Sequence, residues 1–321
     1  MASKTNSDRQ RDTTRAHLDM LLRTLILGLS FTVVGLTGKG LPPLLLTAVR
    51  FAIAAIALLP QVWRAHEGWP GTPVLAIYSL LGLCQAMFFG AMFWCGHRIS
   101  ALSMTLLYGS VPFLAYWLGL GFRVEPPSAR LLGILVIGAA GTLGLAWAEK
   151  GGELGASQLG VADAVYFAGC LGLALYSVLT RWSLSQHLAS GSAAVRAFWS
   201  LAVGAILVGT LGLLEEKPQE LARMKLSDVF LLAYLGVLST AGTFWLMQRA
   251  AAVLSPAATT AYGYAVPFVS MLLLFIVEPQ RISWRWLPGA VLVLLAMALL
   301  LRRDTSESSA RAVNSHEAGG H

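Results

Sequence analysis

Charge is what this sequence has least of. Asp, Glu, Lys and Arg make up 12% of the 321 residues, against about 25% in an ordinary soluble domain. Thirteen of the 39 charged side chains lie in residues 1–19 and 302–321. Between those ends, no charge occurs from Arg98 to Arg123, from Asp228 to Arg249, or from Arg249 to Glu278. A water-soluble surface cannot be built from such windows. With 56% hydrophobic residues and a mean hydropathy of +0.66, the chain reads as a polytopic membrane protein. Cysteine is also scarce. Cys84, Cys95 and Cys170 are scattered in apolar stretches without CxxC spacing, which argues against a disulfide framework or a zinc site. HExxH, GxSxG and Walker motifs are missing, and no carboxylate pair falls at membrane depth, so a membrane-embedded enzyme or an ATP-driven pump finds no support. No metal or cofactor is expected. TVVG at 32–35 falls short of the TVGYG filter of a potassium channel.

What charge there is leans basic, +7 overall with a pI near 9.6. Lys4, Arg9, Arg11, Arg15 and Arg23 precede the first apolar run, and Arg302, Arg303 and Arg311 follow the last. That distribution suits chain ends beside anionic lipid rather than a nucleic-acid groove. No small-x-small cleavage site follows the first apolar run, so the first helix is expected to stay attached. Asp8, Asp12 and Asp19 among the arginines speak against a transit peptide.

A helix needs about 20 apolar residues to cross hydrocarbon. Gly, Pro and charge punctuation predict ten spans, near 20–37, 42–61, 73–95, 100–120, 130–148, 161–182, 192–213, 227–248, 256–276 and 285–301. Arg23 and Arg302 would then snorkel at the ends. The tails 1–19 and 303–321 read as disordered, and 149–160 as a polar linker.

The chain repeats itself. SALSMTLLYGSVPF (100–113) matches SPAATTAYGYAVPF (255–268), with Ser, Val-Pro and Phe in register. Each copy leads to a Glu-Pro corner, Glu125-Pro126 or Glu278-Pro279, and then to Gly133 or Gly289. Ala-Val-Arg recurs at 48–50 and 194–196. The unit is therefore five helices, 20–148 and 161–302. Five is odd, so the second unit enters the membrane from the opposite side and the halves are inverted. Inverted halves place a site near the midplane and permit alternating access. With the N-terminus inside, Lys and Arg number fourteen on the cytoplasmic side and eight outside, Arg50 being set apart as intramembrane. Without the tails the count is six against eight, so the expectation of two cytoplasmic ends rests on the tails.

The sequence resembles the EamA family of the drug/metabolite transporter superfamily. LPPLLLTAVRFAIAAIALLP (41–60) is similar to that family's second helix, and Ser100 through Gly133 to its fourth and fifth. Ser255 through Gly289 is similar to the repeat copy, so the resemblance spans about 20–302. The first helix departs from the pattern: SFTVVGLTGKG stands where a Trp is frequent. The resemblance implies an all-α integral membrane fold of ten helices in two inverted repeats. It also implies export of amino acids or other small metabolites through a bacterial cytoplasmic membrane; eukaryotic relatives carry nucleotide sugars and sugar phosphates.

Candidate residues lie where polarity is costly. Arg50 sits about 12 Å along its helix from Pro42 and is the one charge read as well inside a span. It would either pair with a substrate carboxylate or phosphate, or hold a gating or structural place by capping carbonyls of a neighbouring helix. The second reading is favoured because the resembling family keeps this Arg across many substrates. Arg196, its counterpart, lies nearer a helix start and is expected to snorkel. Pro112 and Pro267 each delete a backbone donor mid-helix and mark a hinge or a plain kink. Gln85, Thr105, Tyr108, Tyr176, Trp245, Thr260, Tyr262 and Tyr264 add hydroxyl, amide and aromatic groups at midplane depth. They would either line a wet cavity or pack between helices. Asp163 and Asp228 begin helices, and His97 reads as a surface histidine, so no proton relay is visible in the spans.

The expected function is secondary export of a small organic metabolite by alternating access. No excess of buried basic residues marks a nucleotide or sugar-phosphate site, which favours an amino acid or a related amphipathic, zwitterionic solute. An importer or exchanger is the alternative. The expected partners are the small-molecule substrate and the lipid bilayer, not nucleic acid, and the chain is expected to be a monomer or weak homodimer.

Overall fold

The computed structural model describes residues 6–36, 41–95, 98–99, 101–149 and 160–317. His97 and most of the 149–160 linker lie outside them. The regular structure among the described residues is all helical, with no strand. Ten helices follow in order: α1 Asn6–Leu36, α2 Pro43–Arg64, α3 Thr72–Cys95, α4 in two pieces (Ala101–Gly109 and Val111–Gly121), and α5 Ala129–Glu149. Then come α6 Val161–Ser185, α7 Ala193–Glu215, α8 Leu226–Ala250, α9 Pro256–Val277 and α10 Trp286–Glu317. Among the described residues, nine of these (α2 to α10) are long and apolar enough to cross a membrane.

Both tails differ from expectation. α1 begins at Asn6, with Asp8 in its first turn, instead of emerging from a disordered tail near residue 20. α10 runs on to Glu317. The cause in α1 is a buried stripe of Thr13, Ala16, His17, Met20 and Thr24, spaced as one helical face. The stripe is built mostly of small and polar side chains, so hydropathy passes over it. Arg23 is thereby the eighteenth residue of α1, well inside the helix instead of near its start.

Packing shows the inverted repeat directly. Each helix in the first half has a counterpart five places later, and exchanging the halves maps one contact onto another. α3 packs on α6 as α8 packs on α1; α3 packs on α7 as α8 packs on α2; α4 packs on α6 as α9 packs on α1. Three pairs are counterparts of each other, α2–α7, α4–α9 and α5–α10. Most of the core therefore forms between the halves. The α5–α10 crossing needs glycine: a Cβ on Gly289 would meet the Leu145 backbone nitrogen at 2.6 Å, and one on Gly141 the Val293 nitrogen at 2.7 Å.

Carboxylates fasten counterpart helices to each other. Glu216, just past α7, accepts from the Leu44 and Leu45 N–H groups at the start of α2, both at 2.9 Å. At the other end of the same pair, Glu67 beyond α2 accepts from the Ser190 hydroxyl (2.6 Å), whose oxygen accepts from the N–H of Ser192, the residue that caps α7. Glu125 past α4 accepts from the Ala257 N–H in the first turn of α9 at 3.0 Å. Glu216 and Glu125 satisfy helix-start donors and sit against the positive end of the helix dipole, and Glu67 acts through Ser190. Removing Glu216 leaves two donors without their acceptor. Glu216→Ala should lower unfolding stability by about 1–3 kcal/mol, with Glu216→Gln losing less, as read by thermal unfolding of the detergent-solubilised protein. Unchanged unfolding in both variants would mean that water replaces the carboxylate at no cost.

Candidate functional site

The prolines singled out in the sequence sit at two breaks. Pro112 lies in the first turn of the second piece of α4, after a turn at Ser110. Pro267 lies in the first turn of the last piece of α9, after a 3-10 stretch over Tyr262–Ala265. Each break frees backbone groups that need partners in hydrocarbon, and other helices supply them. The Tyr264 hydroxyl donates to the Gly109 carbonyl (2.8 Å), closing the α4 break from α9. Thr24 of α1 donates to the Tyr262 carbonyl and Thr142 of α5 to the Tyr264 carbonyl, each at 3.3 Å. Tyr262 and Tyr264 are thus buried with their hydroxyls engaged, as Tyr262 also meets His17 Nδ1 at 2.7 Å. Thr260 turns its hydroxyl back onto the Pro256 and Ala257 carbonyls.

Arg50 spends its guanidinium on a neighbouring helix. Its Nε donates to the Thr240 hydroxyl at 2.6 Å and its Nη2 to Ser239 at 3.0 Å. Both acceptors belong to a π-helical stretch of α8, Leu235–Gly242. Such a stretch carries one extra residue per turn and often marks a functional position. Arg196 is a correction: it does not snorkel but is fully buried. Its Nε donates to Gln248 Oε1 (2.9 Å), its Nη2 to the Gln248 carbonyl and its Nη1 to the Ser190 carbonyl, the last two at 2.6 Å. Those acceptors make burial affordable for a charge four residues into a helix. Gln248 Nε2 in turn donates to the Tyr176 hydroxyl at 2.7 Å.

Arg50 and Arg196 are not alone among the inward-facing cations. Arg23 faces the interior beside Tyr108 of α4 and Tyr176 of α6. Gln85 of α3 is buried next to Tyr176 and would touch any Cβ added at Gly204, with its Oε1 3.1 Å away. Tyr108 lies over Gly263, where a Cβ would meet its hydroxyl at 3.0 Å. Phe88 neighbours Tyr108, and Phe244 packs edge-on to Tyr176. Of the residues named from sequence, Gln85, Tyr108 and Tyr176 therefore share one neighbourhood with Arg23. Thr105 is half-buried one turn before Tyr108.

Trp245 belongs to a different place. It lines a cavity of about 470 Å³ at the end of the bundle where α1 starts, together with Asp12, Arg15, Asp19, Arg196 and Arg249. Arg249 pairs with Asp19 at 3.2 Å and lies over the Trp245 ring at 4.9 Å. Asp12, Ala16, Asp19 and Arg23 fall on one face of α1, so the cavity wall leads inward to Arg23 one turn beyond Asp19. Burial raises the Asp19 pKa even though Arg249 and Arg15 oppose the shift.

Sequence reading missed Arg23, His17 and Gln248. The one available signal for Gln248 was its place as an amide at the end of the charge-free window before Arg249. His17 had no signal, because its partners are 245 and 287 residues away: Tyr262, and Asp304 at 3.5 Å from Nε2. Arg303, buried beside it, reaches Asp304 at 3.5 Å. His17 lies on the part of α1 that precedes the span. Burial lowers its pKa to about 4, which outweighs the nearby Asp304 carboxylate.

The family model of the EamA-like transporter family matches residues 14–147 and 161–302 of the chain. No curated protein matches it. Among the solved structures 27 chains match; one crystal structure covers 90% of this chain and 98% of its own at a TM-score of 0.70, with 19% identity. At that identity the likeness is one of fold.

The His17 shift has a sign. Its folded pKa, about 4, lies below the ordinary 6.5, so the neutral ring is the form the fold favours. That contribution is complete above pH 6.5 and is lost as pH falls toward 4. Wild-type protein should unfold at progressively lower temperature across this window, and His17→Gln should flatten that part of the profile. Equal slopes in the two proteins would remove His17 as the cause.

Proposed function

The chain belongs to the EamA-like transporter family, and from that membership we propose a secondary transporter that exports a small organic metabolite by alternating access. An amino acid or a related amphipathic solute is the preferred cargo. The membrane would be a bacterial cytoplasmic membrane, with both chain ends on the cytoplasmic side.

One observation carries this reading: equivalent helix pairs are arranged differently at the two ends of the bundle. α3 and α6 press together from mid-helix to the end away from the start of α1. A Cβ on Gly169 would come within 2.7 Å of the Ala91 Cβ, and one on Gly172 within 3.0 Å of the Cys84 carbonyl. The Cys95 thiol reaches the Ala162 carbonyl at 3.2 Å there. The counterpart pair, α8 and α1, also packs, but at its own end it carries the Asp19–Arg249 ion pair in the wall of a 470 Å³ cavity. Inverted halves can exchange these two arrangements, which opens one end as the other closes. Arg50 on the π stretch and the paired breaks at Pro112 and Pro267 lie between the two ends, where such an exchange has to bend the helices. The neutral aromatic and amide groups around Tyr108 suit an amphipathic solute better than a polyphosphate.

Comparing metabolites in the medium and inside cells that lack or overproduce the protein tests the export reading. The cargo should accumulate outside on overproduction and inside on deletion. Faster uptake of an added solute, with nothing moving outward, would reverse the direction. Arg50→Ala and Tyr108→Ala should each lower flux on the order of tenfold, the factor for about 1.4 kcal/mol, at normal membrane abundance. Full flux in both variants would remove them from the transport path.

A further inference from the structure

Arg23 differs from the other buried guanidinium groups in what it holds. Arg196 has Gln248 and Ser190, Arg50 has Thr240 and Ser239, Arg249 has Asp19, and Arg303 approaches Asp304. Arg23 is in an ion pair with no described residue, and its buried Nε has no hydrogen-bond partner. The titratable side chains beside it are Tyr108 and Tyr176, neutral phenols that cannot balance a cation. Beside Tyr176, Gln85 is buried with its amide turned to the Tyr176 hydroxyl and within full hydrogen-bond geometry of no partner. A cation with no counter-charge and a buried amide, both beside Tyr176, are each expensive, and one bound anion would accept from both.

We propose that Arg23 is the anion anchor of the substrate site, and that the substrate is an organic monocarboxylate with an apolar or aromatic body. The inference rests on the transporter reading above and adds the class of cargo. Charge count selects the anion: one guanidinium balances one negative charge, which suits a carboxylate and leaves a phosphate monoester dianion short of a partner. Guanidinium and carboxylate also match as a two-pronged pair. The body is selected by the walls. Phe88 lies 6.0 Å from the Tyr108 ring, and Phe244 lies 5.9 Å from the Tyr176 ring, so the carboxylate's neighbours are ring faces. Access follows the face of α1: the cavity at the terminal end reaches Asp19, and Arg23 lies one turn further in.

The test uses full-length protein in detergent, titrated with phenylacetate, phenylacetamide and phenethylamine, which share a body and differ in charge. Phenylacetate should bind and the amide and amine should not. Arg23→Gln should weaken phenylacetate binding on the order of tenfold or more, with Arg23→Lys in between. Without ligand, Arg23→Gln should unfold at the same or a higher temperature, because an unpaired buried charge has been removed; a structural arginine would do the reverse. Equal binding of amide and carboxylate, no binding of phenylacetate, or undiminished binding by Arg23→Gln would overturn the proposal. So would a lower unfolding temperature for Arg23→Gln; if that variant does not fold, binding by Arg23→Lys as tight as wild type overturns it. Flux in proteoliposomes separates the two readings. Carboxylate binding without flux of any of the three would sink the transporter reading and leave the anchor standing. Flux of the amide or amine at the rate of the carboxylate would sink the anchor and leave the transporter.

Discussion

In hydrocarbon a backbone N–H or C=O has no water to turn to, so every interruption of a helix must be completed by protein. That constraint organises the interior of this molecule. The two breaks, at Ser110–Pro112 in α4 and at Tyr262–Pro267 in α9, fall at equivalent places in inverted halves. The α4 break is closed by a tyrosine of α9, and the α9 break by threonines of α1 and α5. Helix starts are treated in the same way, with Glu216 and Glu125 reaching from one half to the first turn of the counterpart helix in the other. A half on its own would leave these groups bare. The two halves are therefore one folding unit, even though the sequence repeats.

The same constraint sorts the charges. A guanidinium inside the membrane persists where oxygen acceptors converge on it. Arg196 collects a side-chain amide and two backbone carbonyls, and Arg50 collects two hydroxyls from a π-helical stretch whose irregular turn presents them side by side. The extra residue in that turn has its own support: Thr240 donates to the Leu235 carbonyl five residues back at 2.9 Å. A structural role for the guanidinium and an irregular helix thus maintain each other. Polar groups that take part in such networks are committed to holding helices together, and Tyr262, Tyr264, Gln248 and Arg196 are of this kind.

How far the sequence could be read follows from the range of each interaction. Apolar windows are local, so the nine spans from α2 to α10 and their order were legible from the apolar windows alone. The repeat was legible because Ser100 and Ser255, Pro112 and Pro267, and Glu125 and Glu278 recur in register, and its odd helix count was enough to imply inversion. The N-terminal extension of α1 was not legible. Its buried face is Thr13, Ala16 and His17 between aspartates and arginines, and a hydropathy reading counts those residues as tail. Counting membrane depth from the first apolar residue then put Arg23 at the surface. Tyr108, Tyr176 and Gln85 were legible as polar groups at depth, but not their common neighbourhood, because that arises only when α1, α3, α4 and α6 converge. The π-helical stretch has no composition signal, since VLST reads like any other apolar turn.

The inequality of the two ends completes the picture. If the halves were identical in shape as well as in topology, α3–α6 and α8–α1 would be equally close and the bundle would be symmetric, closed or open at both ends. They are not equal: glycines 169 and 172 let α6 sink onto α3, whereas the terminal end of α1 presents Asp12, Arg15 and Asp19 to a cavity. Apolar contact against small residues resists parting, because nothing solvates the separated surfaces better than they solvate each other. Ion pairs at a wet cavity part more readily, because water takes over each charge as the partner leaves. The end with glycine contacts is thus the tighter seal in this conformation and the end with the ion pair the softer one. The difference is written in side chains that the duplication did not keep alike.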